Sequence, residues 1–367
     1  MKEKLVLVGN GMAGVRTLEE LLKLAPEKYD ITVFGSEPYG NYNRIMLSPV
    51  LAGEKTVDDI MLNDVQWYAD NGITLYTGKT IKEIDRADRK VVADDGTTAD
   101  YDRLLLATGS NPFMIPVPGK DKDGVIAFRD IHDVDTMLAA SRDYSKAVVI
   151  GGGLLGLEAA NGLMKQGMDV TVVHLLDSLM ERQLDKPASS LLKASLEERG
   201  MKFRMEAETA EIIGNGRARG VRFKDGSEIE ADLVVMGVGI IPNTELAKNA
   251  GLHCERGIVV NDVMQTFDPR IYAVGECVQH RGIAYGLVAP LFEQGKVAAN
   301  QLAGLGYASY RGSVTSTKLK VTGIDLFSAG DFNEAEGDEV MLLQDPASGT
   351  YKKLVINDNQ IKGAVMY

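Results

Sequence analysis

The sequence predicts an α/β fold: two domains, each layered in three around a central parallel sheet, followed by a small C-terminal α+β domain. Three observations predict it. Two segments, one starting at Lys4 and one at Ala147, resemble each other in order and spacing. Each later reaches an apolar run of the kind that a strand buried on both faces requires. Beyond about residue 309 the pattern changes to the alternation of half-buried strands.

The first segment opens "KLVLVGNGMAG", a strand-like run leading into Gly9-x-Gly11-x-x-Gly14, and continues as a helical stretch from Val15 to Leu24. The second opens "AVVIGGGLLG", with Gly151-x-Gly153-x-x-Gly156, and runs helically toward Lys165. Each returns to a strand, "DITVFG" and "DVTVVH". Each then shows a hairpin signal, Asp95-Gly96 and Asp225-Gly226, between strand-like residues. Each ends on a buried-strand run, "DRLLLATG" and "DLVVMGVG". The order reads as two copies of a β-α-β nucleotide-binding unit, each carrying a β-meander. "GVGIIPNTELAKNAGL" reads as a return crossing, punctuated by Pro242 and Asn243 before a short helix. "TKLKVTGIDLFSAG", "EVMLLQ", "YKKLVIND" and "QIKGAVMY" supply the strands of the C-terminal domain.

Bulk properties remove several functional classes. With 367 residues the chain exceeds one ordinary core, and 45% hydrophobic with 25% charged residues is a globular composition. The formal charge of -12 opposes a nucleic-acid backbone or an anionic membrane as main partner. No stretch approaches the ~18 consecutive apolar residues of a membrane span. The N-terminal apolar run is too short for a signal peptide and enters a glycine loop instead of a cleavage site. The 2 cysteines, Cys254 and Cys277, have no C-x-x-C spacing, and the 4 histidines are scattered. The expectation is therefore a cytoplasmic protein with no disulfide framework and no metal site.

One G-x-G-x-x-G is weak evidence for a dinucleotide; two, each with the same sequel, are strong. The first glycine allows the tight turn, the second lets the backbone approach a pyrophosphate, and the third lets helix pack on strand. The helix N-terminus then offers free N–H groups to phosphate. Glu37, just past the second strand, can accept from an adenosine ribose, or it is a solvated turn acid. Arg44 can neutralise a pyrophosphate, or it is a surface charge.

These residues carry a family resemblance that covers essentially the whole chain. The sequence resembles the pyridine nucleotide–disulfide oxidoreductase superfamily, in its rubredoxin- and ferredoxin-reductase branch. Within that branch "YNRIMLSPVLAG", "YAVGECVQHRG", "PLFEQGKVAAN" and "TSTKLKVTGIDLFSAG" look like the N-terminal flavin module of NAD(P)H nitrite reductase large subunits. The resemblance implies two Rossmann-like domains, one for FAD and one for NAD(P)H. Gly9, Gly11, Ala13 and Gly14 would cradle the FAD pyrophosphate, with Glu37 on the ribose. Arg44 and Arg129 would be flavin-side contacts, and Ala107, Thr108 and Gly109 form an ATG motif beside FAD. Gly275 and Glu276 would hold the ribityl chain, where many relatives carry aspartate. Gly151, Gly153, Leu155, Gly156 and Glu158 would serve NAD(P)H, with Gly237 and Gly239 lining the nicotinamide side and Glu158 orienting nicotinamide or flavin. His174 stands where NADH-preferring relatives carry an acid. NADH is favoured because no arginine cluster for a 2′-phosphate follows at once, and Arg182 keeps NADPH open.

Disulfide reductases of this superfamily need a cysteine pair beside the flavin, and related oxidases need one cysteine there. Here the segment reads "NYNRIMLSPVLAG", with Ser48 and Pro49 and no cysteine. Serine cycles through neither a disulfide nor a sulfenate, so thiol chemistry is excluded at that position. Cys277 follows Glu276 at the expected start of a helix. The expectation is a buried bystander packed behind the ribityl chain.

The resemblance also implies a domain plan: an FAD domain in two pieces, 1–112 and 240–308, an inserted NAD(P)H domain, 113–239, and a reductase-type domain, 309–367. Because the sequence stops at Tyr367 on an apolar strand, the last domain is expected to be truncated. The implied activity is hydride transfer from NAD(P)H to FAD, then electron transfer to an iron–sulfur acceptor in cis or in trans, most fittingly in assimilatory nitrite reduction. A free-standing rubredoxin or ferredoxin reductase is the alternative, with Thr317 to Lys320 and Lys352–Lys353 as pieces of a basic dock. A redox sensor that binds NAD(P)H is the alternative of another class. Homodimer formation stays open.

Overall fold

The computed structural model describes residues 2–319, 321, 323–345 and 348–367. The chain divides into two compact units, one of Met1–Arg44, Ile60–Asn111 and Ile240–Ser313, the other of Ile45–Asp59, Pro112–Gly239 and Val314–Tyr367. The segment Ile45–Asp59, read from the sequence within the block 1–112, packs with the second unit.

The first unit is built on a five-stranded sheet in the order Ile271–Ala273, Arg103–Leu106, Glu3–Val8, Tyr29–Phe34 and Thr74–Tyr76. Its pairings are all parallel. Leu5, Leu7, Leu104 and Leu105 are fully buried, which is why these strands read as continuous apolar runs. Burying each such side chain contributes roughly 1.5–3 kcal/mol. The helix Met12–Leu24 packs against Val288–Ala303, where Gly295 allows the close approach: a Cβ there would meet Thr17 Oγ1 at 3.0 Å.

The second unit repeats the plan: Val125–Ala127, Leu233–Met236, Lys146–Ile150, Asp169–Val173 and Lys202–Arg204 form a five-stranded sheet. All its pairings are again parallel. Each unit also carries a three-stranded antiparallel meander, Ile81–Asp100 and Thr209–Glu230, with the Asp-Gly turns where the sequence places them. The C-terminal strands Ser316–Lys318, Phe327–Gly330, Gln360–Met366, Thr350–Asn357 and Glu339–Asp345 form a five-stranded antiparallel sheet in that order. Among the described residues this part is sheet alone, without the helices that an α+β domain would add.

Register positions the sites. Val8 lies level with Phe34 and Leu106, and Ile150 lies level with Val173 and Met236. The glycine turn, the end of the second strand and the end of the closing strand therefore meet at one edge of each sheet. That edge is the carboxyl end, where open α/β sheets bind ligands.

Candidate functional site

In the first unit the glycines answer distinct geometric demands. Gly9 has φ +107, and a Cβ there would stand 2.2 Å from Ala107 O. A Cβ at Gly14 would stand 2.9 Å from Ala107 Cβ, whereas one at Gly11 would meet nothing within 4 Å. Gly11 begins the helix Met12–Leu24 without a side-chain cap. The open space over Gly11 and the uncapped first turn fit a pyrophosphate. Ala13 lies at that same turn, and a Cβ at Gly275 (φ +96) would come 3.1 Å from its methyl group.

The structure brings the ATG motif and the acidic turn together. Ser110 Oγ donates to Glu276 Oε2 at 2.8 Å. Thr108 Oγ1 donates to Asn243 O, and Asn243 Nδ2 donates back to Thr108 O, both at 2.9 Å. Asn243 N–H also donates to Gly109 O. Gly275 N–H donates to Gln294 Oε1 at 2.9 Å, while the buried Nε2 of Gln294 meets no partner. Gln294, within "PLFEQGKVAAN", and Ser110 belong to none of the site residues expected from the sequence. A glutamine three residues after Leu291 and three before Val297, in the apolar pattern of that helix, is the available signal for Gln294.

Glu37 and Arg44 sit at the end of the second strand as an ion pair. Tyr42 OH donates to the same carboxylate at 2.7 Å, and the Arg44 guanidinium lies over the Tyr42 ring at 5.1 Å. Arg44 is thus joined to Glu37. Arg129 belongs to the second unit, in the turn before the helix Ile131–Asp143. Its backbone N–H donates to Asp133 Oδ2 at 2.7 Å. Burial, with Asp130 adding repulsion, pushes Asp133 up to about 6.

The second unit reproduces the cradle. Gly151 has φ +119 and would set a Cβ 2.3 Å from Gly237 O, and a Cβ at Gly156 would stand 2.0 Å from Gly151 O. Gly153 faces open space and starts the helix Leu154–Lys165 without a side-chain cap. Leu155 is half-exposed on that first turn. Gly237 packs on Gly156, and Gly239 (φ +125) accepts from Phe113 N–H at 2.9 Å. These residues fit a second pyrophosphate. His174 ends the second strand, buried, and accepts from Gly152 N–H through Nδ1 at 3.0 Å.

Glu158 is buried on the helix, where Ser48 Oγ donates to its Oε2 at 2.5 Å. Ser48 thus holds a buried carboxyl group. Cys277 is also buried, and its thiol donates to Val274 O at 3.3 Å. Burial pushes this thiol up, away from the thiolate a nucleophile needs. The helix expected to start at Cys277 is absent: the turn runs into the strand Val278–His280, which pairs in parallel with Ile258–Val260, and Cys277 O accepts from Ile258 N–H.

Of the lysines expected to form a basic dock, Lys353 is buried and paired with Glu334 at 2.9 Å and Asp185 at 3.5 Å. That burial removes it from a docking surface. Lys318 and Lys352 are exposed, and Lys320 lies outside the described residues. No helix among the described residues is long and apolar enough to cross a membrane.

Comparison with known proteins agrees with this arrangement. The chain matches the pyridine nucleotide-disulphide oxidoreductase family over residues 3–303 and the rubredoxin NAD+ reductase C-terminal domain over residues 316–367. It is 58% identical to a nitrite reductase [NAD(P)H] of Bacillus subtilis (strain 168), over 100% of this chain and 46% of that protein. It is 49% identical to the assimilatory nitrate reductase electron transfer subunit of the same organism, over 100% and 48%. The chain thus spans about half the length of these curated relatives. Among solved structures, the putidaredoxin reductase–putidaredoxin complex matches with a TM-score of 0.89 and 28% identity, over 99% of this chain and 89% of that one. The NADH:rubredoxin oxidoreductase of Clostridium acetobutylicum matches with a TM-score of 0.82 and 29% identity, over 100% and 91%. The paired glycine cradles and these matches together make the chain a member of the pyridine nucleotide-disulphide oxidoreductase family, with a rubredoxin-reductase-type C-terminal domain.

Proposed function

We propose that the chain is an FAD-dependent NAD(P)H oxidoreductase module that feeds electrons to an iron–sulfur or other one-electron acceptor, in the setting of nitrite assimilation. The observation that carries this reading is the pair of cradles: two uncapped helix starts behind two glycine turns, each at the carboxyl edge of its own parallel sheet. In the first, Gly9, Gly11, Ala13 and Gly14 bind the FAD pyrophosphate, Glu37 with Arg44 takes the adenosine side, and Ala107 to Gly109 with Gly275 and Glu276 take the flavin side. In the second, Gly151, Gly153, Leu155 and Gly156 bind the coenzyme pyrophosphate, and Gly237, Gly239 and Glu158 serve the nicotinamide end. The corresponding domain division is 1–112 with 240–308, 113–239, and 309–367.

Bound FAD supplies hydride acceptance and one-electron transfer. The chain's own residues hold and orient, and no side chain is required as an acid or a base. With Ser48 bonded to Glu158, no thiol relay enters. The setting in nitrite assimilation rests on similarity to the longer Bacillus proteins. A free-standing reductase of a rubredoxin or ferredoxin is the second reading, favoured by the reductase-type C-terminal sheet and by the structural matches.

Steady-state turnover tests the proposal. FAD-loaded protein given NAD(P)H should reduce ferricyanide and an iron–sulfur protein catalytically. Tight FAD binding with negligible reduction of either acceptor would replace the module with a redox sensor.

A further inference from the structure

His174 is fixed in one hydrogen-bonding role by its surroundings. The strand Asp169–Val173 delivers it to the carboxyl edge of the second sheet, beside the glycine turn. A Cβ at Gly152 would stand 2.8 Å from His174 Cγ and 2.6 Å from Leu179 Cδ2. The middle residue of Gly151-Gly152-Gly153 is therefore a glycine because Leu179 and the imidazole occupy the space. Gly152 N–H donates to Nδ1 at 3.0 Å. A neutral imidazole that accepts at Nδ1 carries its proton on Nε2 and donates from there. That Nε2 is buried and has no hydrogen-bond partner.

Glu181 stands next to this donor. Its Oε2 lies 3.4 Å from His174 Nε2, and its side chain is 35% exposed against 10% for the histidine. The loop that carries it is tied to the same turn. Met180 N–H donates to Gly152 O at 2.9 Å, Leu179 N–H donates to Ser189 Oγ at 2.7 Å, and Asp185 caps the helix Lys186–Glu198. A buried donor without a hydrogen-bond partner and an accessible carboxylate thus stand 3.4 Å apart beside the glycine turn.

We infer that His174 and Glu181 together hold the adenosine ribose of the coenzyme and select NADH over NADPH. This rests on the second cradle being the coenzyme site. A ribose hydroxyl both donates and accepts, so His174 Nε2–H gives to a hydroxyl oxygen while the Glu181 carboxylate takes a hydroxyl proton in a hydrogen bond. The strand end of such folds ordinarily offers that carboxylate itself. Here the following loop offers it, and the strand end offers the donor. A 2′-phosphate would bring its charge against Glu181, and like charges so placed oppose binding. Arg182, the residue that could attract that phosphate, is exposed and held by no ion pair or hydrogen bond among the described residues. It would have to be ordered on binding, at the cost of side-chain entropy.

The test is calorimetric titration of the oxidised, FAD-loaded full chain with NAD+ and with NADP+. Wild type should bind NAD+ at least about tenfold more tightly. Glu181→Gln should weaken NAD+ and strengthen NADP+, closing the gap by about tenfold or more. Glu181→Asp should keep a preference for NAD+, and Arg182→Ala should leave the wild-type ratio within about twofold. Unchanged melting temperature and flavin absorbance in Glu181→Gln would show that its fold is intact. A ratio unmoved by Glu181→Gln, or a wild-type preference for NADP+ that Arg182→Ala removes, would overturn the inference while leaving the coenzyme site standing. No binding of either nucleotide to wild type would overturn the site reading itself, and the inference with it.

Discussion

The two units solve the same backbone problem and part company at the tip of the second strand. In the first, the tip offers a carboxylate, Glu37, braced by Arg44 and the Tyr42 hydroxyl. In the second it offers an imidazole, His174, braced by the Gly152 amide. One tip is an acceptor and the other a donor. The glycine spacing is common to both because a crossing strand, a turn and a helix N-terminus impose it. The tip is free to vary because only the ligand constrains it. Scaffold and ligand chemistry are thus written at different positions, and only the first kind repeats.

The largest break in this comparison comes from the glycines. Gly9→Ala and Gly151→Ala each force a Cβ to within 2.3 Å of a backbone oxygen, at φ values of +107 and +119. Each should lower stability by more than about 3 kcal/mol, read by thermal unfolding. The losses should separate: Gly9→Ala gives colourless protein, and Gly151→Ala keeps its flavin but ignores the coenzyme.

Both units also hold a serine–glutamate pair, Ser110–Glu276 and Ser48–Glu158. Glu158 is 3% exposed and Glu276 is only partly buried. Ser48→Ala should therefore cost about 2 kcal/mol and Ser110→Ala about 1 kcal/mol, because a buried carboxyl group tolerates a lost hydrogen-bond donor less well. Equal costs in urea unfolding would contradict the burial argument.

A smaller effect sharpens the difference at the strand tips. Glu37→Ala should weaken FAD about tenfold by removing the acceptor and its brace, as measured by fluorescence on flavin release. His174→Ala should leave FAD affinity unchanged.

Asp133 gives the second unit a pH dependence. Its folded value, about 6, lies above the ordinary 3.8, so its stabilising contribution is complete below pH 4 and is lost as pH rises through 6. Asp133→Asn should thus be more stable than wild type by about 1 kcal/mol at pH 7.5, and the advantage should vanish near pH 5. Thermal melts at the two pH values check it. Smallest of all, Cys277→Ala should change turnover by less than about twofold, since a buried protonated thiol carries no chemistry.

Much of the fold was legible because it is written in short range. Glycine spacing, apolar runs and Asp-Gly turns each report on neighbours along the chain, and they placed both sheets and both meanders. What stayed hidden depends on residues far apart. Ser48 meets Glu158 across 110 positions, and Ser110 meets Glu276 across 166. Lys353 reads as a surface charge in an alternating strand, yet it is buried against Asp185 and Glu334. The middle glycine of the second turn lies outside the G-x-G-x-x-G spacing, and its reason is the His174 ring and Leu179 standing against it. The helix expected at Cys277 gave way because Val278–His280 pairs with Ile258–Val260, a partner that local pattern does not announce.

The central claim is that the first cradle holds FAD and the second holds the nicotinamide coenzyme that reduces it. Anaerobic titration of the flavin-loaded protein with NADH, and separately with NADPH, followed at the flavin's visible absorbance, tests that most directly. The account predicts stoichiometric bleaching by NADH, with NADPH requiring a larger excess. A yellow protein that neither coenzyme bleaches would contradict it and reduce the second cradle to a structural repeat of the first.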